Sequence, residues 1–87
     1  MQFAMVKIIF SPHAKLQLVE RKISEREVIE TINKPTKVIQ QLNRRFQAIK
    51  IKVRNEKKYL LVVIYDEALL TKEVVTAFYT SKIKKYL

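Results

Sequence analysis

Glycine is absent from this 87-residue chain. Without it there can be no glycine-rich phosphate loop, no dinucleotide-binding fingerprint and no glycine nucleophile elbow. Any anion must be held by side chains or helix N-termini. Cysteine is also absent, which excludes disulfides and thiolate metal sites and fits an intracellular setting. One histidine and scattered acids such as Asp66, Glu67 and Glu73 make no ligand set, so neither metal nor cofactor is expected. No spacing suggests a serine-type triad. Long apolar runs are missing too. The longest, Tyr59 to Tyr65, is strand-sized and far short of the roughly 20 residues of a membrane span. The opening Met1–Lys7 has neither the basic region nor the cleavage site of a signal peptide. One soluble, cytoplasmic domain over residues 1–87, without membrane contact, is expected.

Positive charge is plentiful. Eighteen lysines and arginines face eight acids, for a formal charge of +10, and 48% of residues are hydrophobic. That is enough for one modest core. So basic a chain points first to nucleic acid and second to an acidic protein.

The only histidine lies in Ser11-Pro12-His13-Ala14, a helix start with serine as cap and proline at the first position. On a helical wheel His13, Gln17, Glu20 and Arg21 share one arc. Leu16, Val19 and Ile23 flank it on one side, Ala14 and Leu18 on the other. A polar stripe between apolar ones suits either a hydrogen-bonded seam at a sheet edge or a histidine site.

Phe3–Phe10 before it is β-branched and aromatic, hence a strand. Ser24-Glu25-Arg26-Glu27 is a capping box opening a second helix that Asn33-Lys34-Pro35 ends. Strands follow over Thr36–Leu42, Arg45–Arg54, Tyr59–Tyr65 and Lys72–Thr80. Asn43-Arg44 and Asn55-Glu56-Lys57-Lys58 are turns, and Ser81–Leu87 is a basic tail. The expected fold is α+β: an N-terminal strand and two helices, then an antiparallel sheet of three to four strands.

The Arg45–Arg54 strand puts Lys50, Lys52 and Arg54 on one face with Phe46 and Ala48, a cation ladder of about 6.8 Å pitch. From Lys34 to Asn55 there are seven basic residues and no acid, whereas the second helix carries Glu25, Glu27 and Glu30. Lys82, Lys84 and Lys85 sit beside Tyr79 and Tyr86 as a second basic group. Cations with a histidine or tyrosine are the equipment of metal-free RNA cleavage, in which the 2′-hydroxyl attacks its own phosphate.

The chain resembles the family called domain of unknown function 4258. The likeness rests on Phe10–Ala14, Arg21–Glu25 with Val28, Asn33-Lys34-Pro35, Tyr59–Val63 and Val74–Lys82. That family usually has a basic residue where Gln17 stands and glycine where Lys22 stands. The order of elements also resembles the more distant RelE/ParE toxin superfamily. Its nuclease members use sheet cations and a C-terminal tyrosine or histidine. Lys50, Lys52 and Arg54, with Tyr79 or Tyr86, match by order. The resemblance implies RNA or the ribosome as target and an acidic antitoxin-like protein as partner.

Together these readings give an RNA-binding protein, with metal-independent endoribonuclease activity as its catalytic extension. The alternative is a non-catalytic nucleic-acid- or protein-binding module. Lys50, Lys52 and Arg54 would hold phosphates, His13 or Tyr79 would carry the proton, and Arg21 would orient it. Arg44, Arg45, Lys82, Lys84 and Lys85 complete the expected nucleic-acid contacts.

Overall fold

Serines begin both long helices. In the computed structural model, which describes residues 6–87, the Ser11 hydroxyl accepts from the Ala14 amide at 3.0 Å. Helix α1 (Pro12–Arg21) starts there, after strand β1 (Lys7–Phe10). Ser24 accepts from the Glu27 amide at 3.1 Å and donates to its carboxylate, opening α2 (Glu25–Asn33). Four hairpin-linked strands follow: β2 (Lys37–Gln40), β3 (Arg45–Arg54), β4 (Lys57–Glu67) and β5 (Thr71–Thr80), then α3 (Ile83–Tyr86).

The sheet differs from the expected one. It has five strands in the order β1-β5-β4-β3-β2 and is mixed: β1 runs parallel to β5, while every other pair is antiparallel. The cause is the course of the chain. Two helices on one face carry it from β1 to the far edge, and three hairpins then walk it back across the sheet. The last strand arrives beside β1 running in the same direction.

Boundaries also move. Phe3, Ala4 and Met5 of the predicted first strand lie outside the described residues. The second strand is shorter than Thr36–Leu42. The four-residue turn is only Asn55-Glu56, both at positive φ (51° and 64°), as a type I′ hairpin requires. Lys57 and Lys58 therefore belong to β4. The tail is not free: Ile83 and Tyr86 of α3 pack on the sheet.

Strand alternation divides the core. Ala14, Leu18, Ile23, Val28 and Ile32 of the helical layer pack on Ala48, Leu61, Val63, Tyr65, Val74 and Ala77. On the opposite face Ile49, Leu60 and Val62 lie under Ile39, Phe78, Ile83 and Tyr86. No helix among the described residues is long and apolar enough to cross a membrane.

Helix α1 ends on Lys22, whose φ of 57° and ψ of 43° are left-handed and whose amide reaches the Leu18 and Val19 carbonyls. A Cβ in that conformation is strained, and glycine carries none. Lys22→Gly should therefore raise unfolding free energy by about 1 kcal/mol, seen as a higher urea midpoint at unchanged m-value.

Candidate nucleic-acid interface

Because β3 alternates, Lys50 and Lys52 lie on the same face as buried Ala48, the face that α2 covers. There they meet the acids of that helix. Lys50 Nζ is 3.2 Å from Glu30 Oε1. Lys52 Nζ is 3.7 Å from the same oxygen and 3.8 Å from Glu27 Oε2. The basic strand and acidic helix that look separate along the sequence are thus partners in space. The lysines, Lys50 before Lys52, hold the Glu30 carboxyl below its usual pKa.

Tyr79 joins this group, donating its hydroxyl to Glu27 Oε2 at 2.8 Å. Burial first, then the hydrogen bond and charge of Glu27, push its pKa up to about 12. Its phenol is therefore a hydrogen-bond donor rather than a base near neutral pH.

Beyond Tyr79 the sheet ends unevenly. The last β4–β5 pair is Leu60 with Thr80, yet β4 begins at Lys57. The hairpin tip overhangs β5 and leaves an open notch of about 450 Å³. Arg54, Lys57 and Lys58 supply its cations, Tyr59 and Tyr79 its rings, and Thr80 and Ser81 its hydroxyls. The Arg54 guanidinium lies 5.6 Å from the Tyr59 ring centre. Tyr59 meets Tyr79 edge to face at 5.3 Å. Among the described residues no carboxylate pairs with these three cations.

His13 and Arg21 lie elsewhere, on a seam between α1 and β5. Arg21 Nη1 donates to the Ala77 carbonyl at 2.8 Å and to Thr76 Oγ1 at 3.1 Å. Thr76 Oγ1 donates to Gln17 Oε1 at 2.5 Å, and Arg21 reaches the same oxygen at 3.3 Å. Since Gln17 accepts at Oε1, its amide nitrogen is the donor to His13 Nε2, 2.9 Å away. His13 and Arg21 are about 12 Å apart along the helix, and their side-chain hydrogen bonds lie on α1 and β5 rather than on the lysine ladder. Of the apolar flanks of this stripe, Ala14 and Leu18 are buried while Leu16 and Val19 are exposed.

The remaining expected contacts are dispersed. Arg45 forms a two-pronged pair with Asp66 at 2.8 and 3.0 Å, which lowers the Asp66 pKa and raises that of Arg45. Arg44 lies beside it at the opposite end of β3 from the notch. Lys82 follows the notch residue Ser81, and Lys84 and Lys85 project from α3. Sequence reading missed Lys57, Lys58 and Tyr59 as site residues. The signal was present, because an Asn-Glu pair can close a two-residue turn and return the following lysines to a strand. Among the described residues no three histidine or acidic side chains group as a metal site.

The fold and the notch define a small α+β domain with a cation-lined sheet end. It belongs to the family described as domain of unknown function DUF4258, whose pattern it matches over residues 10–82. No curated protein matches the chain, and no solved structure does.

An absorbance titration of tyrosine ionisation should show one phenol titrating near pH 12, and Tyr79→Phe should remove it. With a folded-state pKa above the unfolded value, Tyr79 contributes stability fully below about pH 10, lost as pH rises through about 12. The Phe variant should lack that alkaline loss.

Proposed function

We propose that the protein binds single-stranded RNA, with the hairpin notch as its principal contact. One observation carries this reading: three cations without carboxylate partners among the described residues line one open groove together with two aromatic rings. Backbone phosphates supply the charge such cations take, and bases stack on or against aromatic rings. The side-chain hydroxyls of Thr80 and Ser81 add donors for phosphate or ribose oxygens. The likeness in element order to RelE/ParE toxins supports RNA or the ribosome as target, in the cytoplasm, with an acidic antitoxin-like protein as partner.

A second reading, metal-independent RNA cleavage, draws on Tyr79. As the 2′-oxygen bonds to phosphorus and the P–O5′ bond breaks, the Glu27 carboxylate can take the 2′-hydroxyl proton, the Tyr79 phenol beside it can turn its proton to the leaving 5′-oxygen, and Arg54 can stabilise charge on phosphorus. His13 lies on the α1–β5 seam with its Nε2 hydrogen-bonded to Gln17, and this reading does not draw on it.

Fluorescence anisotropy against salt tests the first reading. Neutralising Arg54, Lys57 and Lys58 together should weaken oligonucleotide binding and lower the salt slope by about two units, at ~0.7 per phosphate neutralised. An unchanged slope would place RNA elsewhere. For the second reading, cleavage should survive EDTA, leave 2′,3′-cyclic phosphate ends and disappear in Tyr79→Phe while binding persists. RNA left intact by the wild-type protein, free or on ribosomes, would reduce the function to binding.

A further inference from the structure

A single carboxylate oxygen bridges two ammonium groups on the helix-covered face. Glu30 Oε1 is 3.2 Å from Lys50 Nζ and 3.7 Å from Lys52 Nζ, a position that an RNA phosphate oxygen could equally occupy. Glu30 is lightly held. Its side chain is 49% exposed, and among the described residues its carboxylate has no partner besides these lysines. Glu27 is different, because the hydroxyls of Ser24 and Tyr79 both fix it. The lysines remain reachable from solvent, with 22% of each side chain exposed.

Position adds the second argument. Lys50, Lys52 and Arg54 succeed one another on one strand face, at about 6.8 Å intervals, and Arg54 lines the notch. A strand leaving the notch along β3 therefore passes Lys52 and then Lys50. We propose that Lys50, with Lys52 beside it still paired to Glu27, forms a second phosphate subsite for that strand, closed in the free protein by Glu30 and opened when a backbone phosphate displaces its carboxylate. This rests on the notch reading and adds an internal competitor to it. Glu30 is charged at neutral pH, because the two lysines hold its pKa low, so the cover is in place under ordinary conditions. Exposed ion pairs of this kind are weak, and the exchange replaces one anion by another without uncovering a buried charge.

The test measures anisotropy of a labelled uridine dinucleotide, whose single phosphate cannot meet Arg54 and the lysines together, and a uridine dodecanucleotide, which reaches β3. Glu30→Gln should tighten the longer ligand by about three- to fivefold, the scale of releasing exposed pairs. It should also steepen its salt slope by ~0.7 for each further phosphate that the lysines neutralise. The dinucleotide should be unaffected. Glu30→Ala, equally compatible with the helix, should behave like Glu30→Gln. Adding Lys50→Gln and Lys52→Gln should abolish the tightening. If both ligands bind wild type and both Glu30 variants alike, the subsite is overturned while the notch stands. If neither ligand binds any of them, both readings fail. Equal tightening of both ligands would attribute the effect to net charge and overturn the subsite as well.

Discussion

Leu60, Leu61, Val62 and Val63 of β4 have no exposed surface. Successive residues of a strand point to opposite faces, so this run cannot be buried by one layer. It requires cover above and below, and the rest of the molecule is arranged to provide it. Helices α1 and α2 supply the larger cover over Leu61 and Val63. The smaller one over Leu60 and Val62 comes from Ile39, Phe78 and the single turn of α3. The C-terminal lysines are thus set on a segment with a packing task, which fixes where their charge begins.

Electrostatics follows from the same layering. The helical layer ends before the sheet does, so the face it covers changes character along β3 from Phe46 and Ala48 to Lys50 and Lys52 and finally Arg54. Where α2 still lies overhead, its glutamates meet the lysines. Where it has ended, the cations face water at the notch. A net charge of +10 is therefore not spread evenly. It is offset by ion pairs along the helix, whereas at the hairpin tip Arg54, Lys57 and Lys58 outnumber the single acid Glu56.

Local signals in the sequence were legible where local physics decides. Serine caps, the proline after Asn33-Lys34, the β3 alternation and the doubly buried β4 run are all short-range, and each appears in the fold. The parallel β1–β5 pair was not legible, because no residue near Lys7 records that Thr71 will lie beside it. Nor was the meeting of Glu30 with Lys50, since one-sign clustering along a chain does not say which oppositely charged element folds over it. The candidate site suffered most from this. Lys50, Lys52, Arg54 and Tyr79 do assemble near one another, but His13 belongs to a separate seam. Lys57 to Tyr59 were hidden because four successive polar residues look like a longer turn than the two that make it.

Pairing of β1 with β5 joins Lys7 to Thr71 and Phe10 to Val74, so its ends are separated by most of the chain. Closing so long a loop is entropically unfavourable, and pairings of high sequence separation form late in folding. The three hairpins β2 to β5 need only short closures and can assemble first. Strand β1 then docks as a four-residue edge held from one side. A short edge of this kind can open without the rest of the sheet, so its amides are placed to exchange by local opening rather than global unfolding.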